Sequence, residues 1–131
     1  KDPYSASKVG SEAAISAWQN IVENTSGPKI VALRAGNVIG GGDWAPGRLI
    51  PDLIRGFSTG EDIQIRNPRS TRPWQHVLEP LSGYLLLAYH LFINPKKFSG
   101  PWNFGPSASN HKTVYQVANQ MMNIISSLQM K

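Results

Sequence analysis

The pattern that most limits the fold of this chain is its alternation of helical segments with short apolar runs. A helical apolar period begins after Pro3, and the breaker Gly27-Pro28 ends it. The run from Ile30 to Leu33 follows directly and is apolar on both faces, which is typical of a buried parallel strand. Alternating helices and strands of this kind predict an α/β layer architecture.

The rest of the chain continues this alternation, with elements that are short and few. Turn and cap residues divide it into predicted helices at Leu49 to Phe57 (closed by Gly60), Leu81 to Phe92 (stopped by Asn94-Pro95) and Val114 to Leu128, predicted strands at Ile63 to Ile65 and Trp102 to Phe104, and a basic loop from Asn67 to Pro73. The first helix has an apolar face at Ala14, Trp18, Ile21 and Val22. Three or four strands are fewer than a doubly wound sheet contains, so we expect part of a domain to be missing.

Composition narrows the class of protein. The 131 residues suit one compact domain, and they contain no apolar run near the ~20 residues that cross a bilayer. The chain has no cysteine for disulfides or thiolate metal sites, and its three histidines show no metal-ligand spacing, so no metal is expected. The absence of cysteine agrees with a cytoplasmic protein, and no signal-peptide pattern or membrane partner is expected. The net charge of +5 is scattered, which favours small phosphorylated ligands over nucleic acid.

Tyr4 and Lys8 stand four residues apart at the start of the first predicted helix and therefore share one face. A phenol has a pKa near ~10, and a neighbouring ammonium group favours the phenolate. Such a pair could act as an acid/base at neutral pH. The spacing is common by chance, and a surface tyrosine stacked on a lysine stem is the alternative.

Polar groups follow the first predicted strand. Asn37 comes just after it, where the carboxyl ends of strands form the ligand crevice of open α/β sheets. Four arginines in predicted loops or at element edges suit bidentate binding of phosphate: Arg48, Arg66, Arg69 and Arg72. A turn-forming asparagine and solvated surface arginines are the alternatives. The triplet at positions 40–42 lacks the G-x-G-x-x-G spacing of a dinucleotide site.

Six segments together resemble the CDP-glucose 4,6-dehydratases, a branch of the extended short-chain dehydrogenases/reductases. In order, they lie at positions 1–8 (KDPYSASK), 33–44 (LRAGNVIGGGDW), 48–52 (RLIPD), 65–68 (IRNP), 72–84 (RPWQHVLEPLSGY) and 102–106 (WNFGP). The Tyr-x-x-x-Lys pattern alone is unspecific. The GGGDW and RPWQHV segments are more specific and separate this branch from the dTDP-glucose enzymes.

The resemblance implies a fold and a chemistry. The fold is a partial Rossmann-like, extended short-chain dehydrogenase architecture, in which residues 1–131 are the carboxy-terminal part with the small substrate-binding subdomain. The amino-terminal NAD-binding half is expected to be absent, so the chain alone is expected neither to hold NAD nor to turn over. In the family, bound NAD takes a hydride from the sugar C4, water is eliminated across C5 and C6, and the hydride returns to C6.

The resemblance also implies roles for individual residues. Tyr4 is the base for the C4 hydroxyl, Lys8 lowers the Tyr4 pKa and holds the nicotinamide ribose, and the Val38 backbone approaches NAD. The residues implied to contact CDP-glucose are Asn37, Arg48, Leu49, Gln64, Ile65, Arg66, Arg72 and Asn103. The first helix, with Trp18, resembles the helix that pairs subunits, which implies a homodimer. Gly47 departs from the family pattern, and the segment after Pro106 matches it poorly.

Three other functions fit parts of the sequence. A nucleotide-sugar epimerase of the same fold uses the same Tyr/Lys pair without eliminating water. A non-catalytic module could keep only the nucleotide-sugar pocket. A binder of nucleic acid or another acidic polymer would show affinity that falls steeply with salt.

Overall fold

The structure, a computed structural model, describes residues 2–23 and 25–129 and contains short strands in three separate pairs. In chain order its elements are α1 Pro3–Val22, β1 Val31–Ala35, β2 Asn37–Ile39, α2 Leu49–Thr59, β3 Thr71–Arg72, β4 Trp74–His76, α3 Leu78–Ile93, α4 Pro95–Phe98, β5 Gly100–Phe104, a 3₁₀ turn Ala108–Asn110, β6 Lys112–Thr113 and α5 Val114–Gln129. Strands β1 and β5 are parallel, β2 and β4 are parallel, and β3 and β6 are antiparallel. These elements form the mixed α/β architecture that the alternation predicts.

The chain divides into two compact units. The first unit comprises the described residues up to Ala35 together with Leu78–Phe104, and the second comprises Gly36–Val77 with the described residues from Gly105 onward. The first unit therefore holds α1, β1, α3, α4 and β5. The second holds β2, α2, β3, β4, β6 and α5.

Two helices cover the β1–β5 pair of the first unit. Helix α1 contacts β1, and the Gln19 side-chain amide donates to the Ile30 carbonyl over 2.9 Å. Helix α3 lies against β5, where the Tyr84 ring meets the Phe104 ring edge-on with centroids 5.0 Å apart. Gly83 makes this approach possible, because a Cβ on Gly83 would overlap the Phe104 ring.

The first helix begins where its sequence places a cap. Asp2 is the N-cap: the Ser5 backbone N–H donates to Asp2 Oδ1 over 2.9 Å, and Pro3 occupies the first turn. That backbone hydrogen bond is the main reason why the pKa of Asp2 is lowered. The helix ends at Val22, before the predicted breaker, and its predicted apolar face is exposed at Trp18 and Ile21.

The second unit packs α2 against α5, and α5 also contacts β6 of the β3–β6 pair. Leu53 of α2 and Ala118 of α5 are buried, and so are Pro51 and Gly56 of α2. Gly60 ends α2 in the left-handed conformation, with φ +71°, as its position predicts. At Gly36 the backbone passes so close to Pro73 that a Cβ would lie 2.6 Å from the Pro73 Cγ.

One predicted strand is absent, and another has different bounds and is less buried than predicted. No ladder forms between Ile63 and Ile65, because Ile63 packs instead against Gly56 of α2, where a Cβ would overlap it. The first strand runs from Val31 to Ala35 rather than from Ile30 to Leu33, and only Ala32 in it is buried. Its predicted parallel pairing is confirmed.

Other boundaries differ in ways that depend on distant partners. The predicted basic loop contains β3, which pairs with β6 some forty positions later. Asn37 follows the first strand as expected and is the first residue of the short strand β2. Asn94 stops α3 as predicted, yet its side chain then caps the short helix α4. Within the described ranges, no helix is long and apolar enough to cross a membrane.

Candidate functional site

Tyr4 and Lys8 lie on one face in the first turns of α1. The Lys8 Nζ is 5.5 Å from the centroid of the Tyr4 ring. Tyr4 is 71 % exposed, so its hydroxyl is accessible to a ligand. The geometry brings together the two side chains that the sequence pairs, and their chemical role stays a prediction.

An ion pair that the sequence analysis missed holds this helix against strand β1. Arg34 Nε donates to Glu12 Oε1 over 2.7 Å, and Arg34 NH2 donates to Glu12 Oε2 over 2.6 Å. Glu12 follows Tyr4 and Lys8 at the same four-residue spacing and therefore lies on their side of the helix. The hydrogen bonds from Arg34 lower the pKa of Glu12 and raise the pKa of Arg34. The available signals were a glutamate four residues after Lys8 and an arginine inside an apolar strand.

Asn103 lies beside this ion pair in the sheet. It is the register partner of Arg34 in the parallel β1–β5 pair. Because register partners in neighbouring strands project to the same face, Asn103 shares the face on which Arg34 meets Glu12. Asn103 is exposed.

Asn37 and Val38 belong to β2 in the second unit. The Asn37 backbone N–H donates to the Pro73 carbonyl over 3.1 Å, and Val38 pairs with Gln75 of β4. The Val38 side chain is 40 % exposed and projects to the face opposite Asn37. The strand therefore fixes the backbone of both residues.

The loop after β2 is closed by its own acidic and basic groups. Arg48 NH1 donates to Asp43 Oδ2 over 2.6 Å, and the Ala45 backbone N–H donates to Asp43 Oδ1 over 3.2 Å. The backbone hydrogen bond and, after it, Arg48 lower the pKa of Asp43. Arg55 donates to the Trp44 carbonyl over 2.8 Å and also pairs with Asp52. The charge of Arg48 is thus already matched inside the loop.

The remaining predicted substrate residues lie along the chain from the start of α2 to β3. Leu49 is the first residue of α2 and is half-buried. Gln64 and Arg66 are exposed, while Ile65 between them is half-buried. A Cβ on Gly47 would lie 4.0 Å from Arg66 NH2, so this arginine reaches toward the loop after β2.

The predicted site residues divide between the two units. Tyr4, Lys8 and Asn103 belong to the first, and Asn37, Val38, Arg48, Leu49, Gln64, Ile65, Arg66 and Arg72 belong to the second. A cavity of about 570 Å³ lies at the other end of α1, lined partly by Gln19, Lys29 and Lys96, and includes none of them. In the part of the chain that the structure describes, no group of three or more His, Cys, Asp or Glu side chains could hold a metal ion.

Comparison with known protein families shows to which family the chain belongs. The family described as "NAD dependent epimerase/dehydratase family" matches residues 1–99. The chain belongs to the NAD-dependent epimerase/dehydratase family. The match includes the Tyr4/Lys8 helix, the ion pair between Glu12 and Arg34, and the loop after β2.

One curated relative is much more similar in sequence than the solved structures are. The chain is 49% identical over 128 residues to the CDP-glucose 4,6-dehydratase of Salmonella typhimurium, which covers 94% of this chain and 36% of that protein. The chain therefore spans about a third of the length of this relative.

Solved structures show the fold. A dTDP-glucose 4,6-dehydratase from Bacillus anthracis, in complex with NAD, matches 96% of this chain and 37% of its own, with a TM-score of 0.72 and 21% identity. A UDP-N-acetylglucosamine 4-epimerase from Methanobrevibacter ruminantium, in complex with UDP-N-acetylmuramic acid, matches 95% of this chain and 38% of its own. The TM-score is 0.71 and the sequence identity 22%. The chain therefore has the Rossmann-like architecture of these proteins over a part of their length.

Tyr4 and Lys8 are residues of this chain that could contact NAD. Tyr4 and Lys8 offer an exposed hydroxyl and an ammonium group on one helix face, which suits a ribose and a reacting hydroxyl. The glycines at positions 40–42 form a turn in a loop and do not lead directly into a helix, so they do not form a dinucleotide phosphate cradle. The given sequence contains no G-x-G-x-x-G pattern at any position.

Proposed function

We propose that this chain is the substrate-binding, acid/base-carrying part of a CDP-glucose 4,6-dehydratase. The observation that carries the proposal is the 49% identity to the Salmonella enzyme across 94% of the chain. The identity extends over both units, and therefore over the Tyr4/Lys8 helix and the arginine-bearing loops alike. A protein of this activity converts CDP-glucose to CDP-4-keto-6-deoxyglucose with no net redox change.

Tyr4 and Lys8 would carry the acid/base chemistry. Tyr4 would accept the proton of the sugar C4 hydroxyl, and Lys8 would favour the phenolate and bind the nicotinamide ribose. A bound NAD would supply the reversible hydride acceptor that this reaction needs. Val38 would contribute a backbone fixed by the β2–β4 ladder to the cofactor side of the site.

The second unit would bind most of the nucleotide sugar. Its cations Arg48, Arg66 and Arg72 suit the diphosphate, since guanidinium groups bind phosphate oxygens in pairs. Asn37 would donate to the diphosphate region, and the exposed Gln64 would contact the nucleoside with the neighbouring Ile65 and Leu49. Asn103 would also contact CDP-glucose, as the resemblance implies.

The chain spans only about a third of its curated relative, so the complete activity requires more than these residues. We propose that an amino-terminal part supplies the phosphate cradle for NAD and the groups that eliminate water. The complete protein would act as a cytoplasmic homodimer paired through the exposed face of α1, which includes Trp18 and Ile21.

Calorimetric titration of the purified chain with CDP-glucose, and in parallel with dTDP-glucose, tests this proposal. The expected result is saturable binding of CDP-glucose at a 1:1 ratio and much weaker binding of dTDP-glucose. Equal affinity for both would contradict the cytidine assignment while keeping a nucleotide-sugar site. Absence of binding from a sample whose circular dichroism shows folded helices would contradict the placement of the substrate site on this chain.

A further inference from the structure

Two cations stand directly opposite each other on the antiparallel strands of the second unit. Arg72 of β3 and Lys112 of β6 are register partners, and both are exposed. Side chains of directly opposed residues share a face, with Cβ atoms about 5 Å apart. Like charges in this position repel each other and destabilise a strand pair. The free protein therefore carries an unfavourable electrostatic interaction between these two side chains.

Several contacts with other residues fix this register. The Val114 N–H donates to the Ser70 carbonyl over 3.0 Å, and the Tyr115 N–H donates to the Pro68 carbonyl over 2.9 Å. The Trp74 indole N–H donates to the Lys112 carbonyl over 3.1 Å. The backbone on both sides of the cation pair is therefore held in place, and the strands cannot separate the charges by slipping.

Within residues 2–23 and 25–129, no acidic side chain forms an ion pair with either cation. The described ion pairs of the second unit join Asp43 to Arg48 and Asp52 to Arg55. Neither of them includes Arg72 or Lys112. The sequence segments that carry the two strands, positions 63–78 and 105–131, contain no aspartate or glutamate at all. Arg66 and Arg69 add two further positive charges to the first of these segments.

We propose that Lys112 and Arg72 together form an anion clamp that binds the diphosphate of the nucleotide sugar. The proposal rests on the proposed function and adds Lys112, from a segment that resembles the family poorly, to the substrate contacts. An anion between the two side chains would replace their repulsion with two charge-assisted hydrogen-bonding partners. The cost of the like-charge pair in the free protein is then compensated when the ligand binds.

The test uses the complete chain with two probes, inorganic pyrophosphate and CDP-glucose, measured by calorimetry. Lys112→Met should weaken the binding of both probes about 10- to 100-fold, the range expected for one hydrogen bond to a charged group. Lys112→Arg should keep most of the affinity. Lys96→Met is the matched control: it removes the same charge from another exposed lysine that belongs to neither strand of the pair, and it should change affinity less than about twofold.

A second readout separates a clamp from a purely structural residue. Without ligand, Lys112→Met should raise the melting temperature, because it removes the repulsion, whereas pyrophosphate should stabilise the wild-type protein more than this variant. Unchanged affinity for pyrophosphate in a folded Lys112→Met protein overturns the clamp, even where CDP-glucose still binds and the proposed function stands. Pyrophosphate binding that depends on Lys112 without any binding of CDP-glucose would keep an anion site at this strand pair but overturn its assignment to the nucleotide sugar, together with the proposed function.

Discussion

Glu12 and Arg34 are joined by two parallel hydrogen bonds, from Arg34 Nε and NH2 to the two carboxylate oxygens. The pair connects the helix that carries Tyr4 and Lys8 to the strand β1. Both side chains are partly exposed, so the pair contributes more to the position of the helix than to the stability of the unit.

Replacing Glu12 with glutamine should produce a pH-dependent difference in stability. The folded state lowers the pKa of Glu12 below its ordinary value of 4.5. A carboxyl group with a lowered pKa stabilises the fold above its unfolded pKa, and this contribution is lost as the pH falls through the folded pKa. The wild-type melting temperature should therefore exceed that of Glu12→Gln near neutral pH, and the gap should close below about pH 4.5. A gap that widens in acid would contradict the ion pair.

Two helical glycines should respond in opposite directions to alanine. Gly83→Ala should lower the free energy of unfolding by about 1–3 kcal/mol, because the new methyl group overlaps Phe104. Gly10→Ala in α1 should raise it by roughly 0.5–1 kcal/mol, since its Cβ meets nothing within 4 Å and alanine favours the helix. Urea titration of both variants measures this difference. Equal effects would show that α3 does not approach β5 as closely as described.

The helices could be predicted from the sequence because their signals are local. The apolar period, Pro3 at the start of α1 and Gly60 at the end of α2 all lie within a few residues of the boundaries that they set. Only the ends of the predicted helices shifted, by a few residues.

The short strands could not be predicted in the same way. Strand β3 consists of two residues, and it exists because Thr71 pairs with Thr113, which is far away in sequence. Ile63 and Ile65 show the alternation of a strand, yet Gly56 leaves a space on α2 that Ile63 fills instead. Tertiary packing decided both cases, and the sequence pattern carries no information about it.

In the candidate site, too, local contacts could be predicted from the sequence, whereas contacts between distant segments could not. The Tyr4–Lys8 contact follows from helix geometry alone and could be predicted. The pairs Glu12–Arg34 and Arg72–Lys112 depend on how a helix meets a strand and on strand register, so they emerge only from the structure.

Truncation of a buried leucine should destabilise the protein much more than truncation of an exposed leucine. Leu53 is 2 % exposed on α2, and truncation to alanine should cost about 2–5 kcal/mol of unfolding free energy. Leu85 is 75 % exposed on α3, and the same truncation should stay within about 0.5 kcal/mol. A large loss for Leu85→Ala, measured by urea unfolding at a low protein concentration, would show that this face of α3 is covered in solution.

The exposed face of α1 should control self-association. Trp18 and Ile21 are 58 % and 62 % exposed and lie three residues apart on one helix. Exposed apolar patches of this kind favour association, so Trp18→Gln with Ile21→Gln should shift sedimentation velocity profiles toward the monomer. Leu85→Gln, on α3, is the control and should leave the profile unchanged. If Leu85→Gln alone dissociates the protein, the pairing surface is α3.

The phenol of Tyr4 should matter for turnover and not for binding. In an enzyme assembled from this chain and the part of the Salmonella relative that it does not match, Tyr4→Phe should lower kcat about 10²- to 10⁴-fold, the range for losing a general acid/base. Affinity for CDP-glucose should change less than about twofold, because the proposed diphosphate contacts are the cations of the second unit. Tyr115→Phe removes the same hydroxyl from α5, where Tyr115 is 60 % exposed, and should leave kcat unchanged. Normal kcat in Tyr4→Phe would exclude the phenol as the base, and a matched loss in Tyr115→Phe would show that the effect is not specific to the α1 site.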